Sequence, residues 1–170
     1  MNRISRRLMI VVVLAGLAGL VWRLWPNEET KIRQTIQGMA ADATFTGHEG
    51  NFAKLAKIQS LSGRFAEDAE FHVDQIIPIE AALKGRESIR QVLTAGAPYL
   101  GAVTVQIHDL QVQLADGVTA TALLTASAKT TGQKGEFNAQ EFELKMVKRE
   151  GRWLVGRVEA VLGYRKPVIQ

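Results

Sequence analysis

The side chains able to move a proton or grip a ligand are few in this chain, and they are scattered. There is no cysteine, and the three histidines are His48, His72 and His108. His72-Val73-Asp74 sets an imidazole and a carboxylate two residues apart, so on an extended strand they project from one side. A general base and its orienting acid have this spacing. Phe71 and Val73 form the apolar side of the same strand, which sends His72 and Asp74 toward solvent or a partner. His108-Asp109 stands where a long strand changes phase. A bulge there would re-aim both side chains, and histidine titrates near neutral pH. Tyr99 follows Pro98 at the end of a helix, where its hydroxyl can reach the mouth of a pocket. Tyr99, His108 and Asp109 are therefore the ligand-pocket candidates, and no residue is assigned a catalytic role.

His48 reads as a loop residue. With no thiolate and no His-x3-His pair on a helix, no metal site is expected. A phosphate loop, a Gly-rich dinucleotide fingerprint and a serine elbow are all missing, and no cofactor is expected. The lack of cysteine also excludes disulfides, a cysteine nucleophile and a lipidated lipoprotein start.

Charge divides the 170 residues unevenly. Arg3, Arg6, Arg7 and Arg23 lie in the first 25 residues with no acid among them, leaving 17 basic against 17 acidic side chains beyond. The net charge of +4 belongs to the amino-terminal segment, so nucleic acid is not an expected partner. Leu8 to Trp22 carries no charge, and Trp22, Arg23, Leu24 and Trp25 close the run. At 1.5 Å per residue, residues 8–25 reach about 27 Å, near the thickness of a hydrocarbon core. Arg23 can snorkel, and the two tryptophans suit an interface. Residues 1–25 thus read as a cytoplasmic tip and transmembrane signal-anchor, with the lipid bilayer as partner through residues 8–25. Three arginines before the span and one after it place residues 26–170 outside the cytoplasm, in the periplasm or beyond. A cleaved signal peptide shares the charged start and apolar run. The end of this run, however, offers no small-x-small site, and Gly16-Leu17-Ala18 lies inside it.

The elements that must position the candidates follow from periodicity. Pro26-Asn27 ends the span and supplies an N-cap, with Glu28 and Glu29 in the first turn of a helix. Ile32, Ile36, Met39, Ala40 and Ala43 make its apolar stripe. Asn51 caps a second helix bearing Phe52, Leu55, Ile58, Leu61 and Phe65. A strand over 70–77 ends at Pro78, and a third helix over 85–95 buries Ile89, Val92 and Leu93. From Ala102 the period becomes 2, giving strands over 103–114, 118–129, 137–148 and 153–162 joined by short turns. Helices first and an antiparallel meander second predict an α+β fold with about three helices on one curved antiparallel sheet. Phase slips at His108-Asp109 and at Gln140-Glu141 predict two β-bulges.

This order of elements resembles the nuclear transport factor 2-like, or SnoaL-like, superfamily, over about residues 28–162. Three segments carry the resemblance: Leu61-Ser62-Gly63-Arg64-Phe65-Ala66-Glu67-Asp68-Ala69-Glu70-Phe71, Leu83-Lys84-Gly85-Arg86-Glu87-Ser88-Ile89, and Lys148-Arg149-Glu150-Gly151-Arg152-Trp153-Leu154-Val155. The resemblance implies a SnoaL-like cone. Members include isomerases, dehydratases, cyclases and assembly modules, so fold cannot choose the activity. The inward positions are nearly all Val, Ile, Leu, Ala and Phe, which favours a membrane-tethered binding or assembly module. Its candidate partners are a small apolar ligand or a membrane protein. The alternative is an isomerase- or dehydratase-like enzyme using the cone pocket. In the last strand Leu154, Val158, Ala160 and Leu162 alternate with Trp153, Arg157 and Glu159. With the first set facing the helices, Trp153, Val155 and Val161 form an apolar outer face, a candidate homodimer interface.

Overall fold

A computed structural model describes residues 27–72, 83–99, 101–130 and 136–161. The expected membrane span at residues 8–25, the tail of the first strand with Val73 and Asp74, and Leu162 lie outside the described residues. Among the described residues no helix is long and apolar enough to cross a membrane.

Helix α1 (Glu28–Asp42) starts as its sequence demands: the Asn27 side chain accepts from the Thr30 backbone N–H at 2.7 Å. Ile32 and Ile36 are fully buried, and Met39 and Ala43 pack against the same core. Helix α2 (Asn51–Ser62) begins one residue earlier than expected, with Gly50 rather than Asn51 at the cap. It buries Ile58, Leu61 and Ser62, whereas Phe52 is 91% exposed and Leu55 also faces out. A step of three residues turns a helix by about 300°, so the series Phe52, Leu55, Ile58, Leu61 drifts half-way round the axis. Of that series only Ile58 and Leu61 are buried.

Strand β1 (Phe65–His72) begins five residues earlier than expected, because α2 stops at Ser62-Gly63 and Phe65 enters the sheet rather than the helix. Helix α3 (Arg86–Gly96) and a 3-10 turn (Ala97–Tyr99) follow. The four long strands are β2 (Val103–Leu114), β3 (Thr119–Thr130), β4 (Glu136–Arg149) and β5 (Arg152–Ala160). Their meander is antiparallel, and the sheet order is β1-β5-β4-β3-β2. The sheet is mixed rather than wholly antiparallel, since β1 pairs with β5 in parallel. The long connection through α3 carries the chain to the far edge. Three hairpins then reverse it three times and return β5 alongside β1.

Irregular pairing gives the sheet its curvature. Asp109, at φ 52°, and Leu110 together oppose Leu124, so the bulge falls at His108-Asp109 as the phase slip requires. On β4 the extra residue lies at Asn138-Ala139, two positions before the expected one. A further bulge, at Gly156 of β5, is one the sequence reading does not contain: Val155 pairs with Met146 and Arg157 with Lys145, leaving Gly156 unmatched. This insertion switches the inward parity of β5. Before it Trp153 and Val155 face the core, with Leu154 between them also buried, and after it Val158 does. The expected outer face of Trp153 and Val155 is thereby corrected, for Trp153 is 3% exposed and Val155 fully buried. The outer surface carries Glu70, His72, Glu143, Lys145, Arg157 and Glu159 instead, paired among themselves. Val161 is half-buried just past β5, with its N–H donating to Glu141. Two of the three residues that motivate pairing through the outer face are thus core residues.

Candidate functional site

The helices and the concave face of the sheet enclose a cavity of about 380 Å³. α1 contributes Ile36, Met39 and Ala40. Val92 and Leu93 come from α3, and Ile107, Leu124, Ala126 and Leu144 from the sheet. Every described lining residue has a hydrocarbon or thioether side chain. Val92, expected on the buried face of its helix, is 44% exposed and stands where the cavity meets solvent. The space exists because small side chains occupy inward positions. Ala40, Ala43 and Ala126 sit where leucines would fill the cone. The sequence carried that signal in its run of alanines on apolar stripes, although periodicity alone reads them as ordinary core.

None of the three pocket candidates lines this space. Tyr99 is 89% exposed on the 3-10 turn. His108 and Asp109 lie on the solvent side of β2, where His108 Nε2 is 3.1 Å from Ser127 Oγ. The bulge bends the strand without aiming either side chain into the cone. His72 is also on the outer face, 3.0 Å from the Arg157 guanidinium and 3.5 Å from Glu70. Among the described residues no group of His, Asp and Glu could hold a metal ion.

A polar cluster that sequence reasoning missed closes the narrow side of the domain. Trp153 Nε1 donates to Glu28 at 2.7 Å, and Lys148 and Lys31 reach the same carboxylate at 2.6 and 2.8 Å. One acid in the first turn of α1 thus ties that helix to the β4–β5 hairpin. Hydrogen bonds from Lys148, then Lys31, then Trp153 lower its pKa from 4.5 to about 2. A depressed carboxylate pKa contributes stability that is present above the ordinary pKa and fades as pH falls through the folded value. Replacing Glu28 by Gln is therefore expected to lower the melting temperature near neutral pH. Its deficit against the parent should shrink between pH 4.5 and 2. A deficit that stays constant across that window would show that the ionised carboxylate is not what joins the helix to the hairpin.

The comparisons agree with this architecture. A family profile described as a SnoaL-like domain matches residues 55–159. Among solved structures, a nuclear transport factor 2-like protein with a cystatin-like fold from Novosphingobium aromaticivorans is similar at TM-score 0.62 and 20% identity, covering 91% of this chain and 92% of that one. A protein named as a candidate scytalone dehydratase from the same organism has TM-score 0.60 and 14% identity, over 79% of this chain and 85% of that one. A protein of unknown function from Mycobacterium tuberculosis has TM-score 0.59 and 21% identity, over 80% of this chain and 75% of that one. No curated protein matches the chain in sequence. At these identities the solved structures share the fold, and the fold hosts many chemistries. On the profile match and the cone described above, the chain belongs to the SnoaL-like domain family.

Proposed function

We propose that this SnoaL-like domain is a binding module whose cone takes a small apolar ligand, and that residues 8–25 hold it at the extracytoplasmic side of a membrane. The cavity carries the reading. Its 380 Å³ falls in the range of small-molecule sites. A proton-transfer enzyme needs an acid or base within hydrogen-bond reach of its substrate, and the described walls offer none. Such walls discriminate by shape and apolar area, which suits retention and transfer better than turnover. The anchor is supported by the uncharged run from Leu8 to Trp22 and the arginines before it.

Among the described residues, every member of both core clusters falls between Ile32 and Val158, so residues 27–170 contain the core described above. That fragment should bind the neutral dye N-phenyl-1-naphthylamine with a rise in its fluorescence. Ala126→Phe and Ala40→Phe, which place a ring in the void, should each weaken binding about tenfold or more, the equivalent of 1.4 kcal/mol. Unchanged binding in both variants, with circular dichroism of the parent, would put the dye elsewhere and remove the reading. The anchor is tested separately by intact mass of the membrane-extracted chain. A mature amino terminus near Ala18 or later would sink it.

A further inference from the structure

We propose that a second site, on the outside of the cone, binds a phosphate-bearing ligand. Between α1, the end of α2 and the β4–β5 turn, the surface dips into a groove of about 530 Å³. Lys31, Arg64 and Arg152 line it, together with the amides of Gln34 and Gln59, and no carboxylate is among the described lining residues. The groove shares no described lining residue with the apolar cavity, so the two sites are independent.

Two of the three cations are fixed by carboxylates that are not among the described lining residues. Glu28 takes one N–H of Lys31 at 2.8 Å, which leaves two ammonium donors. Asp42 takes Nε of Arg64 at 2.8 Å and is itself fixed by the Ser60 hydroxyl at 2.8 Å. The terminal nitrogens of Arg64 remain as donors. Its guanidinium lies on Gly38, where an added Cβ would come within 2.6 Å of Cζ. The missing side chain of Gly38 thus seats the guanidinium, and Asp42 sets its rotation. Arg152 has its nearest acid contact, with Glu150, at 3.9 Å, beyond hydrogen-bond distance.

Two guanidinium forks and an ammonium around one concavity match a phosphate's charge and its several acceptor oxygens. The groove is larger than a bare phosphate, so an organic moiety on the ligand can lie along Gln34 and Gln59. A soluble phosphate ester and an anionic lipid headgroup offer the same chemistry. Lys31 lies six residues after Trp25, so with residues 8–25 in a bilayer both sources have access.

The test uses the full chain in lipid nanodiscs and reads arginine modification by phenylglyoxal, residue by residue, in peptide mass spectra. One arm adds inorganic pyrophosphate to phosphatidylcholine discs. The other compares phosphatidylcholine discs with discs containing phosphatidylglycerol, without soluble phosphate. Modification of Arg64 and Arg152 should slow about fivefold or more in at least one arm, as charge-assisted hydrogen bonds to phosphate form. Arg90, paired with Glu87 on α3 away from the groove, should react at an unchanged rate. Protection in the first arm assigns a soluble ester, and protection confined to the second assigns a headgroup. Lys31→Gln should raise the concentration needed for half-protection about tenfold, the effect of one lost charged donor. Rates that stay equal in both arms, or that fall alike at Arg90, would overturn the site. So would protection that Lys31→Gln leaves untouched.

Discussion

Replacing Trp153 by Ala is expected to destabilise the domain by about 3–5 kcal/mol, the range for emptying a buried aromatic site. The ring is 3% exposed and belongs to the main core cluster with Ile32, Phe65 and Met146. Its loss opens a cavity and also removes the Nε1 donor from Glu28. Trp153→Phe separates the two effects. It keeps most of the apolar surface and removes the hydrogen bond with only a small part of the packing, so it should cost about 1–3 kcal/mol. Urea unfolding of residues 27–170 gives both values. A Trp153→Ala chain that unfolds like its parent, yet sediments as a smaller species, would mean that the ring covers an interface on the outer sheet face after all.

The second large effect is expected at Gly85, the residue just before α3. Gly85 has φ 87° and ψ 146°, a region that only glycine enters readily. A Cβ there would also meet the Glu67 carbonyl oxygen at 3.2 Å. The backbone cannot simply relax, because it is tied on several sides. The Gly85 N–H donates to Ala69 at 2.7 Å, and the neighbouring Arg86 Nε donates to the Phe65 carbonyl at 2.7 Å. These bonds hold the stretch of β1 that bows away from β5 between Phe65 and Glu70. Gly85→Val should therefore cost about 3 kcal/mol, at the upper end of the range for a strained backbone position. The contrast is Gly96→Ala, where no atom lies within 4 Å of the added carbon and φ is ordinary. That change is expected to be neutral or to stabilise by about 0.4–1 kcal/mol. Equal thermal shifts in the two variants would refute the account of Gly85.

Much of the architecture is legible in the sequence because periodicity and turn chemistry are local. The cap at Asn27, the bulge at His108-Asp109 and the tight turn at Glu150-Gly151, both of its residues at positive φ, each follow from a few adjacent residues. What is not legible depends on partners distant in the chain. Glycine at 156 looks like any strand glycine until β4 is laid beside it, and only then does parity show that Trp153 points inward. The parallel pairing of β1 with β5 joins residues some ninety positions apart and leaves no local trace. The pocket candidates lie outside the cavity for a related reason: Tyr99, His108 and Asp109 stand out by their side-chain chemistry, whereas the cavity is defined by the smallness of alanines.

The Gly156 bulge also has a meaning for descent. A strand that alternates faces converts the loss of one codon into an inversion of everything between that codon and the nearest turn. Deleting Gly156 would bring β4 and β5 back into regular register and carry Trp153 and Val155 from the interior to the surface in a single mutational event. The domain would lose core and gain an adhesive face at once. Lineages that lengthen or shorten this hairpin are therefore restricted to changes in pairs, or to changes beyond the turn at Glu150-Gly151, where an added residue alters reach but not inheritance of the buried side.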